Sequence, residues 1–177
     1  MHVSGWRHAR AIALLPGTVA VVAPAVLIAR DGVDFAPLLV ALGAPLFVAG
    51  FLMWLWTVRL FARIGKGTLA PWDPTTQLVV EGPYAHARNP MITGVLAALV
   101  GEALIFGSTA IAIWAAIFAA INHVFFLVYE EPSIERRFGD AYRLYKRNVP
   151  RWLPRRAAWR PNLSEGPGSS VDRAAAF

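Results

Sequence analysis

An all-α membrane protein is the fold class this sequence predicts: four transmembrane helices, the last two a tight hairpin, plus a C-terminal interfacial helix. Three observations carry it. Of 177 residues, 56% are hydrophobic and only 16% charged, and the mean hydropathy is +0.48; soluble domains carry about one-quarter charged residues. Four apolar runs reach, or nearly reach, the roughly 20 residues that cross a hydrocarbon core. Finally, if each run crosses, sixteen of the seventeen Lys and Arg residues fall on one side.

The first run, Ala11 to Ala29, follows Arg7 and Arg10 and contains Pro16 and Pro24. It predicts a bent helix, tolerated where neighbouring helices cover the carbonyls that the prolines free. Small residues around Ala23 to Ala25 also give it the look of a secretory signal, but three more runs follow, which favours a retained span. The second run is Ala36 to Phe61. After it comes ARIGKGTLAPWDPTTQLVVEGPYAHARNP, too long and too rich in glycine and proline for a mere connector; such loops are functional or disordered. The third run, Ile92 to Phe106, is short and carries Glu102. Only Gly107-Ser108-Thr109 separates it from the fourth, Ala110 to Tyr129, so the two predict a helical hairpin. Pro132 fits the first turn of a new helix to about Asn148, with Ile134, Phe138, Tyr142 and Tyr145 on one stripe. The tail, Pro161 to Phe177, is polar and rich in glycine and alanine and reads as disordered. Residues 1–160 therefore form a single membrane domain.

Only Arg30 falls on the far side of the bilayer, so a multi-pass chain with both termini cytoplasmic is expected. The formal charge is +6, but the basic residues flank apolar runs instead of forming a basic domain. Membrane lipids with anionic headgroups are their expected partners, and nucleic acid is not. With no cysteine there is no disulfide, thiolate nucleophile or Cys-type zinc site. His2, His8, His86 and His123 lack ligand spacing, so no metal is expected. The Gly65–Gly67 GKG lacks a preceding strand and the full phosphate-loop pattern and reads as a flexible turn.

A tight hairpin makes its two open ends neighbours. Arg88 and Asn89 enter the third run where Glu130 and Glu131 leave the fourth. Two readings stand for this cluster: an interfacial ion pair that serves structure alone, and a functional site, since ionisable groups at membrane depth are functional candidates by default. His123 precedes Glu130 by seven residues on the same helical face, roughly 10 Å deeper at 1.5 Å per residue. It reads either as a hydrogen-bonded interhelical contact or as a base. Glu102 lies near the opposite face and reads as a packing residue.

The motifs, taken together, resemble a family. QLVVEGPYAHARNPM and LVYEEPSIERRFGDAYRLYKRNVPRWLP resemble, in order, the L-V-x-x-G-P-Y-x-x-x-R-[HN]-P and E-E…F-G-x-x-Y-x-x-Y…V-P-R-x-x-P motifs of certain integral-membrane methyltransferases. These include the isoprenylcysteine carboxyl methyltransferases and the phospholipid N-methyltransferases, and the similarity covers residues 65–154. It implies methyl transfer from S-adenosyl-L-methionine to a lipophilic substrate, a carboxylate or a lipid amine, at the cytoplasmic interface. It also implies that Thr76, Gln77, Leu78, Val79 and Tyr84 line the cofactor together with Asn89, Pro90, Met91 and Ile92. Glu130 would hold the polar end of the cofactor. Arg88, Glu131 and His123 are then the expected catalytic residues, Arg88 as a carboxylate clamp and the other two as bases. The chain departs from the isoprenylcysteine pattern at Phe126, where that branch has an arginine, at Asn89, which replaces a histidine, and at Ile92, which replaces a tyrosine. A nicotinamide-dependent membrane reductase of the sterol-reductase type and a non-catalytic membrane scaffold are the rival readings.

Overall fold

The computed structural model describes residues 13–64 and 78–160. Thr76, Gln77, the Gly65–Gly67 turn and the tail from Pro161 lie outside the described residues. Every regular element among the described residues is helical, with no strand.

The first helical stretch begins as a π-helix, Ala13–Val22, and continues as α1 (Ala23–Asp31). Proline removes an N–H and crowds the preceding turn, and the wider π winding accommodates it. Within that winding the carbonyl of Val19 has residue 24 as its i+5 partner, and Pro24 has no proton to give. Trp114 fills the gap: its Nε1 donates to the Val19 carbonyl at 3.0 Å. This is the neighbouring-helix cover that the prolines require.

Helix α2 (Pro37–Ile64) packs against α3 (Pro90–Ile105) with glycines at the crossing. A Cβ built on Gly50 would stand 2.5 Å from the Gly94 carbonyl oxygen, and one on Gly43 would stand 2.6 Å from that of Gly101. The two backbones therefore touch along two turns. In lipid no hydrophobic effect drives helices together, so close backbone approach supplies the dispersion that holds them.

The hairpin forms as predicted. Gly107, at φ +60°, ends α3, and the Ser108 hydroxyl accepts the Ile111 N–H at 3.3 Å to start α4 (Thr109–Phe125). Val95, Leu99 and Ala115 form the core between them, joined by Val19, Trp54, Trp114 and Phe118 from the surrounding helices.

Beyond α4 the structure differs from the predicted break at Pro132. The chain stays helical through a π segment, Phe126–Glu130, into α5 (Glu131–Phe138). The Glu131 N–H reaches back to the Phe126 carbonyl, and this wider turn absorbs the donor that Pro132 lacks. The break falls instead at Gly139, at φ +55°, after which α6 (Asp140–Asn148) runs separately. The predicted stripe survives the bend: Ile134 and Phe138 pack with Tyr142, Tyr145 and Val149, and Leu78, Val80 and Trp159 join them.

Among the described residues two helices, not the four expected, are long and apolar enough to cross a membrane: Pro37–Leu60, of 24 residues, and Thr109–Phe138, of 30. Pro90–Ile105 is a third, shorter apolar helix. Ile113, Ile117, Ile121, Val124 and Val128 leave one face of the second crossing helix exposed, a continuous apolar stripe of the kind that faces lipid.

Candidate active site

A short turn brings the chain to α3. The 3₁₀ turn Gly82–Ala85 buries Pro83, Tyr84 and Ala85 and leads into Arg88, Asn89 and the helix-opening Pro90. Residues 149–160 run back across this corner as a strap. The Arg88 and Asn89 N–H groups donate to the carbonyls of Pro150 and Arg151 at 2.9 and 3.3 Å. Those of Arg155 and Trp159 donate to the carbonyls of His86 and Ala85 at 3.0 and 2.9 Å. His86 Nδ1 donates to the Arg155 carbonyl at 2.8 Å, and the Tyr145 hydroxyl donates to that of Tyr84 at 2.7 Å.

Glu131 holds the strap, the corner and the hairpin end together. Its Oε1 accepts from Arg88 Nη1 and from Arg151 Nε, each at 2.8 Å, and its Oε2 lies 3.4 Å from Lys146 Nζ. The Glu131 and Arg88 side chains are 7% and 10% exposed, so this is a buried cluster, not a surface pair. Lys146 also reaches Glu135 at 3.6 Å, which extends the network into solvent.

Around this hub several polar groups are left over. Arg88 Nε and Asn89 Nδ2 are buried with no hydrogen-bond partner among the described residues. Glu130 is half-buried and makes no hydrogen bond or ion pair among them. Tyr84 closes the corner, and its hydroxyl is pushed well above the ordinary range, first by burial and further by Tyr145 and Glu130. Leu78 and Val79 lead into the same corner, Val79 buried, and Met91 and Ile92 follow Pro90 in the first turn of α3.

The structure therefore brings Tyr84, Arg88, Asn89, Glu130 and Glu131 to one end of the hairpin. His123 sits deeper, where its Nδ1 accepts from Trp152 Nε1 at 3.2 Å and its ring stacks on that indole. Phe126, at the position of departure from the isoprenylcysteine pattern, is buried against the same Trp152 at 5.7 Å between ring centroids. Glu102 belongs to the far end of α3, its Oε2 buried without a hydrogen-bond partner among the described residues. Sequence reasoning had assigned no role to Lys146, Arg151 or Trp152. Arg151 and Trp152 lie in the quoted VPRWLP, but nothing in their spacing points to partners in two other segments.

An apolar helical core closed at one end by a buried, charged corner is the class of architecture these helices define. A family model for phospholipid methyltransferases matches residues 38–141, and the chain belongs to that family. Membership bears out the resemblance seen in the motifs and makes this a membrane methyltransferase family protein. No curated protein and no solved structure matches the chain.

Proposed function

We propose that the chain transfers a methyl group from S-adenosyl-L-methionine to a lipophilic acceptor at the cytoplasmic membrane interface. The observation that carries this reading is the set of leftover polar groups: two buried donors without partners, Arg88 Nε and Asn89 Nδ2, beside the unpaired carboxylate of Glu130. The cofactor has a carboxylate that needs donors and an ammonium and a sulfonium that need an anion. The donor set fits. Leu78, Val79, Tyr84, Asn89, Pro90, Met91 and Ile92 would line it, with Thr76 and Gln77 from the preceding loop, and Glu130 would hold its ammonium end. When bound, it supplies an electrophilic methyl group on a charged sulfur.

The residues of this chain do the positioning. Displacement at a methyl group gains most from alignment and from exclusion of water, which the strap and the hairpin end supply. In this reading Glu131, with both oxygens committed to cations, holds Arg88 and Arg151 in place. His123 Nδ1 accepts from Trp152 Nε1, so the neutral ring carries its proton on Nε2 and has no free lone pair; in this reading His123 positions Trp152 and takes no proton from the acceptor.

Titrating the purified protein by calorimetry with S-adenosylmethionine and separately with NADPH tests the cofactor. Incubating membranes with radiolabelled S-adenosylmethionine and extracting the lipids tests the acceptor. Heat on the first titration and label in the lipid fraction are expected. Heat with NADPH alone would favour a reductase, and binding of neither would leave a scaffold.

A further inference from the structure

We propose that the tip of the strap, Trp152-Leu153-Pro154, is a wedge inserted into the bilayer, with anionic lipid as its partner. Three observations converge on it. Leu153 is 81% exposed, the most exposed large hydrophobic side chain among the described residues. Its neighbour Trp152 is fixed against His123 and Phe126. Since His123 precedes Glu130 by seven helical residues, the indole reaches roughly 10 Å deeper than the glutamate pair. Meanwhile Arg151 is anchored at Glu131 and Arg155 returns to the His86 carbonyl.

The chain therefore dips from the ionic hub towards the hydrocarbon at residue 152 and comes back out by residue 155. At that depth the span exposes Val124, Leu127 and Val128, the apolar face beside which the wedge would set Leu153. Pro154 has no N–H to bury in lipid, where an unsatisfied donor is costly.

Charge completes the match. Arg156 and Arg160 follow the tip, both exposed and with no ion pair among the described residues. An apolar tip buried about 5–10 Å with basic residues at its rim is the pattern of interfacial anchors. Each such arginine contributes roughly fivefold to partitioning onto an anionic surface. The wedge stands whether or not the protein proves to be a methyltransferase, since no cofactor enters it.

The chain has no cysteine, so Leu153→Cys can carry a single environment-sensitive fluorophore on the full-length protein in lipid nanodiscs. Asn148→Cys, exposed on α6, is the control. Discs of phosphatidylcholine alone are compared with discs that also contain phosphatidylglycerol, each with and without acyl-chain spin-labelled lipid. Position 153 should emit in the blue and be quenched at least about twofold more than position 148. Quenching should be stronger with phosphatidylglycerol, and R156Q/R160Q should erase that difference. Water-like emission at 153 overturns the wedge. So does blue emission that the lipid quencher does not touch, which would mean that protein, whether residues 65–77 or a second copy, covers the tip. Equal quenching in both lipid mixtures overturns the anionic partner.

Discussion

Glu131 carries one negative charge against the positive charges of Arg88, Arg151 and Lys146; it is buried, the Arg88 side chain is nearly so, and those of Arg151 and Lys146 are progressively more exposed. Breaking a buried ion pair by removing one partner costs about 3–5 kcal/mol, because the other charge stays behind unpaired. Glu131→Gln should therefore lower the unfolding midpoint in detergent and loosen the strap along with it. Lys146→Gln is the contrast: its side chain is 41% exposed and its ammonium is shared with Glu135, so less than about 1 kcal/mol is expected. Equal effects of the two substitutions would show that Glu131 is not the hub of the network. The sequence puts Glu131 beside Arg88 at the hairpin's open end and expects a base there. The hairpin turn made Arg88 legible as its neighbour, whereas Lys146 and Arg151 come from a helix and a strap that meet it only after folding and leave no spacing to read.

The buried tyrosines make a pH-dependent prediction at the same scale. Burial first, and the charge of Glu131 second, push the Tyr142 hydroxyl from 10.0 up to about 12, and Tyr145 is raised too. Both stay neutral in the folded protein while the unfolded chain begins to ionise near 10. The folded state then binds more protons than the unfolded one, so stability falls as pH rises between these values. Below pH 10 their contribution is intact. A spectroscopic titration of the phenols, run beside unfolding midpoints from pH 9 to 12, checks the window; ionisation near 10 in the folded protein would contradict it.

At the scale of elements, the α2–α3 contact has almost no tolerance. Gly50→Ala would set a Cβ 2.5 Å from two backbone atoms, Gly94 O and Ala98 N, which cannot rotate away. Separating the helices costs about 1–3 kcal/mol, as overpacking does elsewhere, and should reduce the detergent-solubilised yield and the thermal midpoint. An unchanged midpoint would mean that the crossing is looser than it stands. The second and fourth apolar runs and the hairpin turn were legible because length, composition and a Gly-Ser-Thr turn are local signals. The course of the chain after Tyr129 was legible only in part. Pro132 marked a break for sequence reasoning, while a π turn carried the helix through and Gly139 took the bend. The strap was not legible at all: backbone N–H and carbonyl groups hold it, and every residue type has those.

For the whole molecule, the division is between a core that composition describes well and a site that it describes unevenly. Helices α2, α3 and α4 would bury their glycines and apolar faces whatever chemistry lay at the end. The site depends on pairings over long sequence distances, such as the 43 residues from Arg88 to Glu131 and the 61 from Tyr84 to Tyr145. The family motifs supplied what physical periodicity did not, since they gathered both sides of the corner into one expectation.

The strap also sets an order of events during synthesis. Arg88 and Asn89 leave the ribosome before α3, yet their backbone partners are Pro150 and Arg151 and the second guanidinium on Glu131 is that of Arg151. The crossing helices can insert and pair while those partners are still unmade. Until residue 151 emerges, the nascent protein is a helical bundle with an unfinished mouth, so a premature stop before the strap would leave the Arg88 and Asn89 N–H groups and Glu131 without their partners from residues 150–151.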